Sequence, residues 1–178
     1  MNFKIKNSEI KFHGKVFDLR VDNIIYNSGN EGIREVAVHP GGAVVVAANG
    51  NGKIIFVKQY RYPLDKNSIE LPAGKLEKNE DPMHCAVREL EEEAGYKTGK
   101  IEKLGSIFTT PGFCTEELHI YLAKDLEAGN HNREEGEFGM QILEYSLDEI
   151  EEKINTGEIK DSKTICGIYM YKNKSVQK

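Results

Sequence analysis

Residues 88–93 read Arg-Glu-Leu-Glu-Glu-Glu, so Glu89, Glu91, Glu92 and Glu93 crowd into five positions around one leucine. Carboxylates so placed are hard oxygen donors, suited to Mg²⁺ or Mn²⁺ and not to a thiophilic metal. Asp81 before Pro82 is a helix start and Gly95 a stop, which makes 82–94 a helix. At 100° per residue Met83, Ala86, Val87, Leu90 and Ala94 form an apolar stripe, with Glu89, Glu92 and Glu93 on an arc roughly 120° away. Like charges at this spacing cost roughly 0.2–0.5 kcal/mol per pair, a penalty that a solvated surface helix also tolerates. The helix alone therefore leaves two readings open, an exposed acidic face or a seat for a cation.

The surrounding spacing separates them. Gly74, five residues, Glu80, seven residues, Arg88-Glu89-Leu90, one residue, Glu92-Glu93, one residue, Gly95 and a bulky residue resembles the signature of the Nudix hydrolases. The one departure is Tyr96, where that family usually has an aliphatic residue. The resemblance implies an α/β/α sandwich around a mixed β-sheet, and hydrolysis of a nucleoside diphosphate linked to another group. It implies Glu89, Glu92 and Glu93 as ligands of Mg²⁺, with Mn²⁺ as the other choice, and the backbone carbonyl of Ala73 as a further ligand. Glu92 and Glu93 also count among the catalytic residues, whereas Arg88 and Glu80 have supporting roles, orienting the glutamates and securing the loop.

Downstream, Pro111-Gly112 lies sixteen residues after Gly95, and it joins IELPAGKLE, QYRYP and TEELHIYLA in resembling the ADP-ribose pyrophosphatase subgroup over roughly 15–172. That subgroup implies cleavage of ADP-ribose to AMP and ribose 5-phosphate. Its carried-over substrate contacts are Arg61, Thr110 and Glu116, with Arg34 and Glu35 reaching a partner subunit's site in a homodimer built by exchanging N-terminal strands. The acidic loop 129–139 would supply Glu135 as catalytic base and Glu137 as an extra metal ligand. Two alternatives are a non-hydrolytic nucleotide-sensing module and a diphosphatase for another substrate such as a GDP-sugar. An intact set of acids favours the enzyme.

The chain alternates short β-patterned runs with few helices. Strands are expected at KIKNSEIKF, KVFDLRVDNIIY, IREVAVHP, AVVVAA, KIIFVKQYR, SIELP, KIEKLGSIF, ELHIYLAK and MQILEY. Two more helices are expected: SLDEIEEKINTG, with a Ser146/Glu149 capping box, and DSKTICGIYMYKN, with Ile165, Ile168, Tyr169 and Met170 as its apolar side. The division expected is 1–40 as a small β-subregion serving dimerisation and 41–178 as the hydrolase domain.

Composition narrows the function classes. A net charge of −5 over 178 residues excludes an extended basic surface for nucleic acid, and 39% hydrophobic residues form no run long enough for a membrane span. Cys85, Cys114 and Cys166 form no C-x-x-C pair, which points away from a disulfide framework or a zinc site and toward the cytoplasm. A small phosphorylated substrate remains compatible, because a divalent ion supplies the positive charge. His119 reads as an ordinary strand residue, His131 as an exposed loop residue, and Phe17, Tyr26 and Phe113 as candidates for stacking on adenine.

Overall fold

The computed structural model describes residues 2–131 and 139–176. These group into two compact units: Met1–Gly41 with Phe108–Glu117, and Gly42–Ile107 with Leu118–Lys178.

The first unit is an antiparallel meander of β1 (Phe3–His13), β2 (Asp18–Tyr26) and β3 (Glu31–Val38). Gly29 closes the β2–β3 turn at φ +90°, a conformation that β-branched and most other side chains avoid. The segment 108–117 folds with these strands, since the Ala37 N–H donates to the Phe113 carbonyl at 2.8 Å and the Thr115 N–H to the Ala37 carbonyl at 3.0 Å. Ile5, Phe12, Ile33 and Phe113 remain exposed on this unit.

The second unit is built on a seven-stranded mixed sheet. β4 (Gly42–Ala48) lies between β5 (Ile54–Arg61), antiparallel to it, and β9 (Glu117–Ala128), parallel to it. β8 (Tyr96–Phe108) and β10 (Gln141–Tyr145) flank them, while β6 (Lys66–Glu70) pairs with β5 and β7 (Ala73–Lys75) with β4. The nine strands expected from the sequence are present, and β7 is a tenth, too short for a periodicity to register.

β4 is buried along its whole length, as a strand covered on both faces must be. Val44 and Val46 point into one core with Ile150 of α2 (Leu147–Asn155) and Ile168 of α3 (Ser162–Val176). Ala43, Val45 and Ala47 point into the other, against Ala86, Leu90 and Ala94 of α1 (Pro82–Ala94). Helices on both faces of a mixed sheet give the α/β/α sandwich anticipated.

The caps follow the sequence. Asp81 accepts from the Met83 and His84 N–H groups, Gly95 adopts φ +72°, and Ser146 with Glu149 closes a reciprocal capping box. Two apolar assignments change. On α3, Ile168 is buried as expected but Tyr169 is exposed, and Gly167 lies against Leu71 where a Cβ would not fit. On α1, Met83 is exposed, and the buried set is Cys85, Ala86, Glu89, Leu90, Glu93 and Ala94. Those six span about half the helix circumference, with the two glutamates inside the arc. The helix buries its acids together with its apolar stripe.

Candidate metal centre on helix α1

α1 is rolled so that Glu89 and Glu93 meet the backbone at β7. The Ala73 N–H donates to Glu93 Oε2 at 2.9 Å. Gly74 has no side chain for a stringent reason: a Cβ there would lie 1.8 Å from Glu89 Oε1. Glu89 is 7% exposed and Glu93 3% exposed, so both carboxylates sit where desolvation is costly unless charge is balanced.

Arg88 supplies part of that balance. Its Nε and Nη2 donate to Glu80 at 2.9 and 3.1 Å, and its Nη1 donates to Glu89 at 2.6 Å and to Glu92 at 2.9 Å. Hydrogen bonding to Glu80 outweighs desolvation and holds the guanidinium above its usual range, so it stays charged. Glu80 also accepts from the Glu77 N–H at 2.9 Å, which fastens the loop before α1, and the Arg88 hydrogen bonds lower its pKa. The neighbouring Cys85 thiol is pushed up to about 12 by burial and by the Glu80 and Glu89 charges, leaving it a packed thiol. Glu91 faces outward and meets Lys97 at 3.5 Å.

Among the described residues no three His, Cys, Asp or Glu side chains are already gathered as a metal-binding group. Arg88 holds Glu89 and Glu92, and the Ala73 N–H holds Glu93. The donor set nonetheless fits a hard divalent ion: two buried carboxylates converge on the Ala73–Gly74 segment, in a cradle that a single methyl group would fill.

A second charged cluster lies at the ends of β5 and β6. Arg61 donates from Nε and Nη2 to the two oxygens of Glu70 at 2.9 and 2.7 Å, and Lys163 of α3 also donates to Glu70. Burial pushes the Glu70 carboxyl up, but the Arg61 hydrogen bonds and the Lys163 and Arg61 charges prevail and hold it at about 2. The Glu70 hydrogen bonds, and after them the charges of Glu70, Glu93 and Asp161, hold the Arg61 guanidinium above its usual range. A cavity of about 710 Å³ opens here, lined by Arg61, Lys66, Glu70, Lys160 and Lys163 among others. Glu70 and Lys163 line this cavity and were not among the residues expected from the sequence. The only signal was an acid inside IELPAG, and its partner is 93 residues away.

The other expected residues divide between the units. Arg61, Ala73, Glu89, Glu92 and Glu93 belong to the second; Arg34, Glu35, Thr110 and Glu116 belong to the first. Arg34 and Glu35 are exposed on β3, with Arg34 Nη2 donating to the Tyr26 hydroxyl at 2.5 Å. Thr110 is exposed, and its carbonyl accepts from the Phe113 and Cys114 N–H groups in the turn around Pro111. Glu116 accepts from the Thr109 hydroxyl at 2.8 Å and faces His39 at 3.4 Å. His119 sits 3.3 Å from Lys103, as befits a strand residue, and the His131 ring lies over Gly95. Glu135 and Glu137 lie outside the described residues.

Comparison with known proteins agrees with this geometry. The NUDIX domain matches residues 38–165. An ADP-ribose pyrophosphatase of Bacillus subtilis is 42% identical over 88% of this chain and 85% of its own length. A methanol dehydrogenase activator of Bacillus methanolicus is 43% identical over 92% of this chain and 89% of its own. A crystal structure of an ADP compounds hydrolase superposes with a TM-score of 0.84 over 97% of this chain and 94% of that one; at 14% identity the likeness is one of fold. With the profile covering most of the chain and the glutamates of its helix brought to one backbone segment, this protein belongs to the NUDIX domain family.

Proposed function

We propose that this chain is a metal-dependent diphosphatase that adds water across the pyrophosphate of ADP-ribose, or of a closely related nucleoside diphosphate sugar, releasing AMP and ribose 5-phosphate. The observation that carries the reading is the burial of Glu89 and Glu93 against Ala73 and Gly74, with one guanidinium shared among Glu80, Glu89 and Glu92. The Bacillus subtilis relative supports the choice of substrate. Glu89, Glu92, Glu93 and the Ala73 carbonyl would hold Mg²⁺, or Mn²⁺ in its place. Such an ion supplies charge neutralisation at the diphosphate oxygens and a more acidic water.

The remaining roles fall to the chain's own groups. Arg88 holds Glu89 and Glu92 side by side, so their rotamers are set before any ligand arrives. Arg61 offers a phosphate or the terminal ribose the guanidinium edge that Glu70 does not use. The base is Glu135, on the resemblance alone. Exposed Ile5, Phe12 and Ile33 support a homodimer formed through the N-terminal strands, with Arg34 and Glu35 acting on the partner's substrate. Three cysteines without a disulfide support a cytoplasmic setting.

The test is a product assay with Mg²⁺ over ADP-ribose, GDP-mannose, NADH and diadenosine phosphates. ADP-ribose is expected to give the highest kcat/KM, with AMP and ribose 5-phosphate as products. Preference for GDP-mannose would overturn the substrate choice, and turnover of none would favour a sensing module.

A further inference from the structure

We infer that Lys163 is a positioning residue for substrate binding: by sharing the Glu70 carboxylate, it holds the Arg61 guanidinium in place beside the adjoining cavity, where an anionic group would meet it. The inference rests on the proposed reading of Arg61 as a substrate contact and names what makes that contact effective.

Glu70 is 3% exposed, and a carboxylate so buried must be paired. Arg61 grips both of its oxygens, so the place of the guanidinium depends on where that carboxylate is held. Lys163 adds a second cation to the same carboxylate and also reaches Asp161 at 3.0 Å. Glu70 is thereby held from two sides, by Arg61 and by an ammonium anchored at the start of α3.

The first turn of α3 is built to hold this ammonium in place. The Thr164 N–H donates to Asp161 Oδ2 at 2.9 Å, and the fully buried Thr164 hydroxyl accepts from the Leu71 N–H at 2.9 Å. Leu71 follows Glu70 directly, so one helical turn clamps both the carboxylate and its backbone. Lys163 also lines the cavity, which gives it a rival role as a direct substrate contact.

Steady-state kinetics on ADP-ribose with Mg²⁺ separate these roles. K163M is expected to raise KM about tenfold with kcat within about twofold, the equivalent of one charge-assisted hydrogen bond. K163R should restore KM to within about threefold, since it keeps the charge on Glu70. R61A should raise KM at least as far as K163M does, and R61A/K163M should match R61A. If K163M does not fold, K163Q takes its place with the same expectation.

An unchanged KM in K163M would overturn the inference. A further rise in R61A/K163M over R61A would also overturn it, by showing that Lys163 touches substrate itself. An unchanged KM in R61A would instead remove the reading of Arg61, and absence of wild-type turnover would remove the proposed function. The four outcomes are distinguishable.

Discussion

The second unit holds two networks of arginine and carboxylate that look alike on paper and differ in charge balance. Around Arg88, one guanidinium meets Glu80, Glu89 and Glu92, with Glu93 buried close by on the same helix. Around Glu70, Arg61 and Lys163 meet one carboxylate, with Asp161 beside Lys163. Among the described residues the first network sets one cation among three acids, and the second sets two cations against two acids. Buried carboxylates gathered at that ratio favour a further counter-charge, which is what a cation site supplies. The balanced network instead fixes one edge of the Arg61 guanidinium beside a cavity that Lys66 and Lys160 also line, which suits an anion.

The contrast is sharpest at the acid-rich centre. Glu93→Gln keeps the side chain's shape but removes one buried charge, and metal-dependent turnover should fall by about 10³-fold or more with far-UV circular dichroism unchanged. Near-normal activity would refute the ligand assignment.

Removing the cation from each network should then give unequal results. Arg88→Met removes the one guanidinium shared by Glu80, Glu89 and Glu92 and is expected to destabilise the fold by about 3–5 kcal/mol in chelator, as breaking a buried pair does. Millimolar Mg²⁺ should recover part of that loss by binding the native state. Arg61→Met leaves Glu70 with Lys163 and is expected to cost about 1–3 kcal/mol, with no recovery on adding Mg²⁺. Equal losses and equal recovery, measured by urea denaturation, would break the comparison.

Acid should act on the balanced network in a defined window. The Glu70 carboxyl is lowered from 4.5 to about 2, so its contribution is present above pH 4.5 and is lost as pH falls from there toward 2. The part of the pH dependence owed to Glu70 amounts to at most about 3 kcal/mol. Glu70→Gln should flatten the stability profile across that range; an unchanged slope would show that Glu70 titrates normally. The smallest effect belongs to Glu91, whose contact with Lys97 is exposed. Glu91→Gln should change stability by less than about 0.5 kcal/mol and leave turnover intact.

Much of the architecture was legible because its signals are local. β4 shows as a continuous apolar run, α1 is bracketed by Asp81-Pro82 and Gly95, and α2 carries its capping box in four residues. Errors arose where packing overrode the local pattern. The stripe drawn for α1 put Met83 inside and the acids on a separate arc, yet Glu89 and Glu93 turn inward because the backbone at Ala73 and the space at Gly74 receive them. Tyr169 was misassigned for a similar reason: Gly167, which has no side chain to score as apolar, is what contacts Leu71.

The sequence by itself determined the chemistry at the centre, since glycine, arginine and glutamates at fixed spacing on one loop and one helix need no distant partner to be read. Only the tertiary structure decided which acids are buried, because that depends on how α1 rolls against β7. It alone brought Lys163 to Glu70 across 93 residues. A charge pair between separate elements leaves no periodicity in the chain, and its effect on a neighbouring guanidinium exists only once β5, β6 and α3 have packed together.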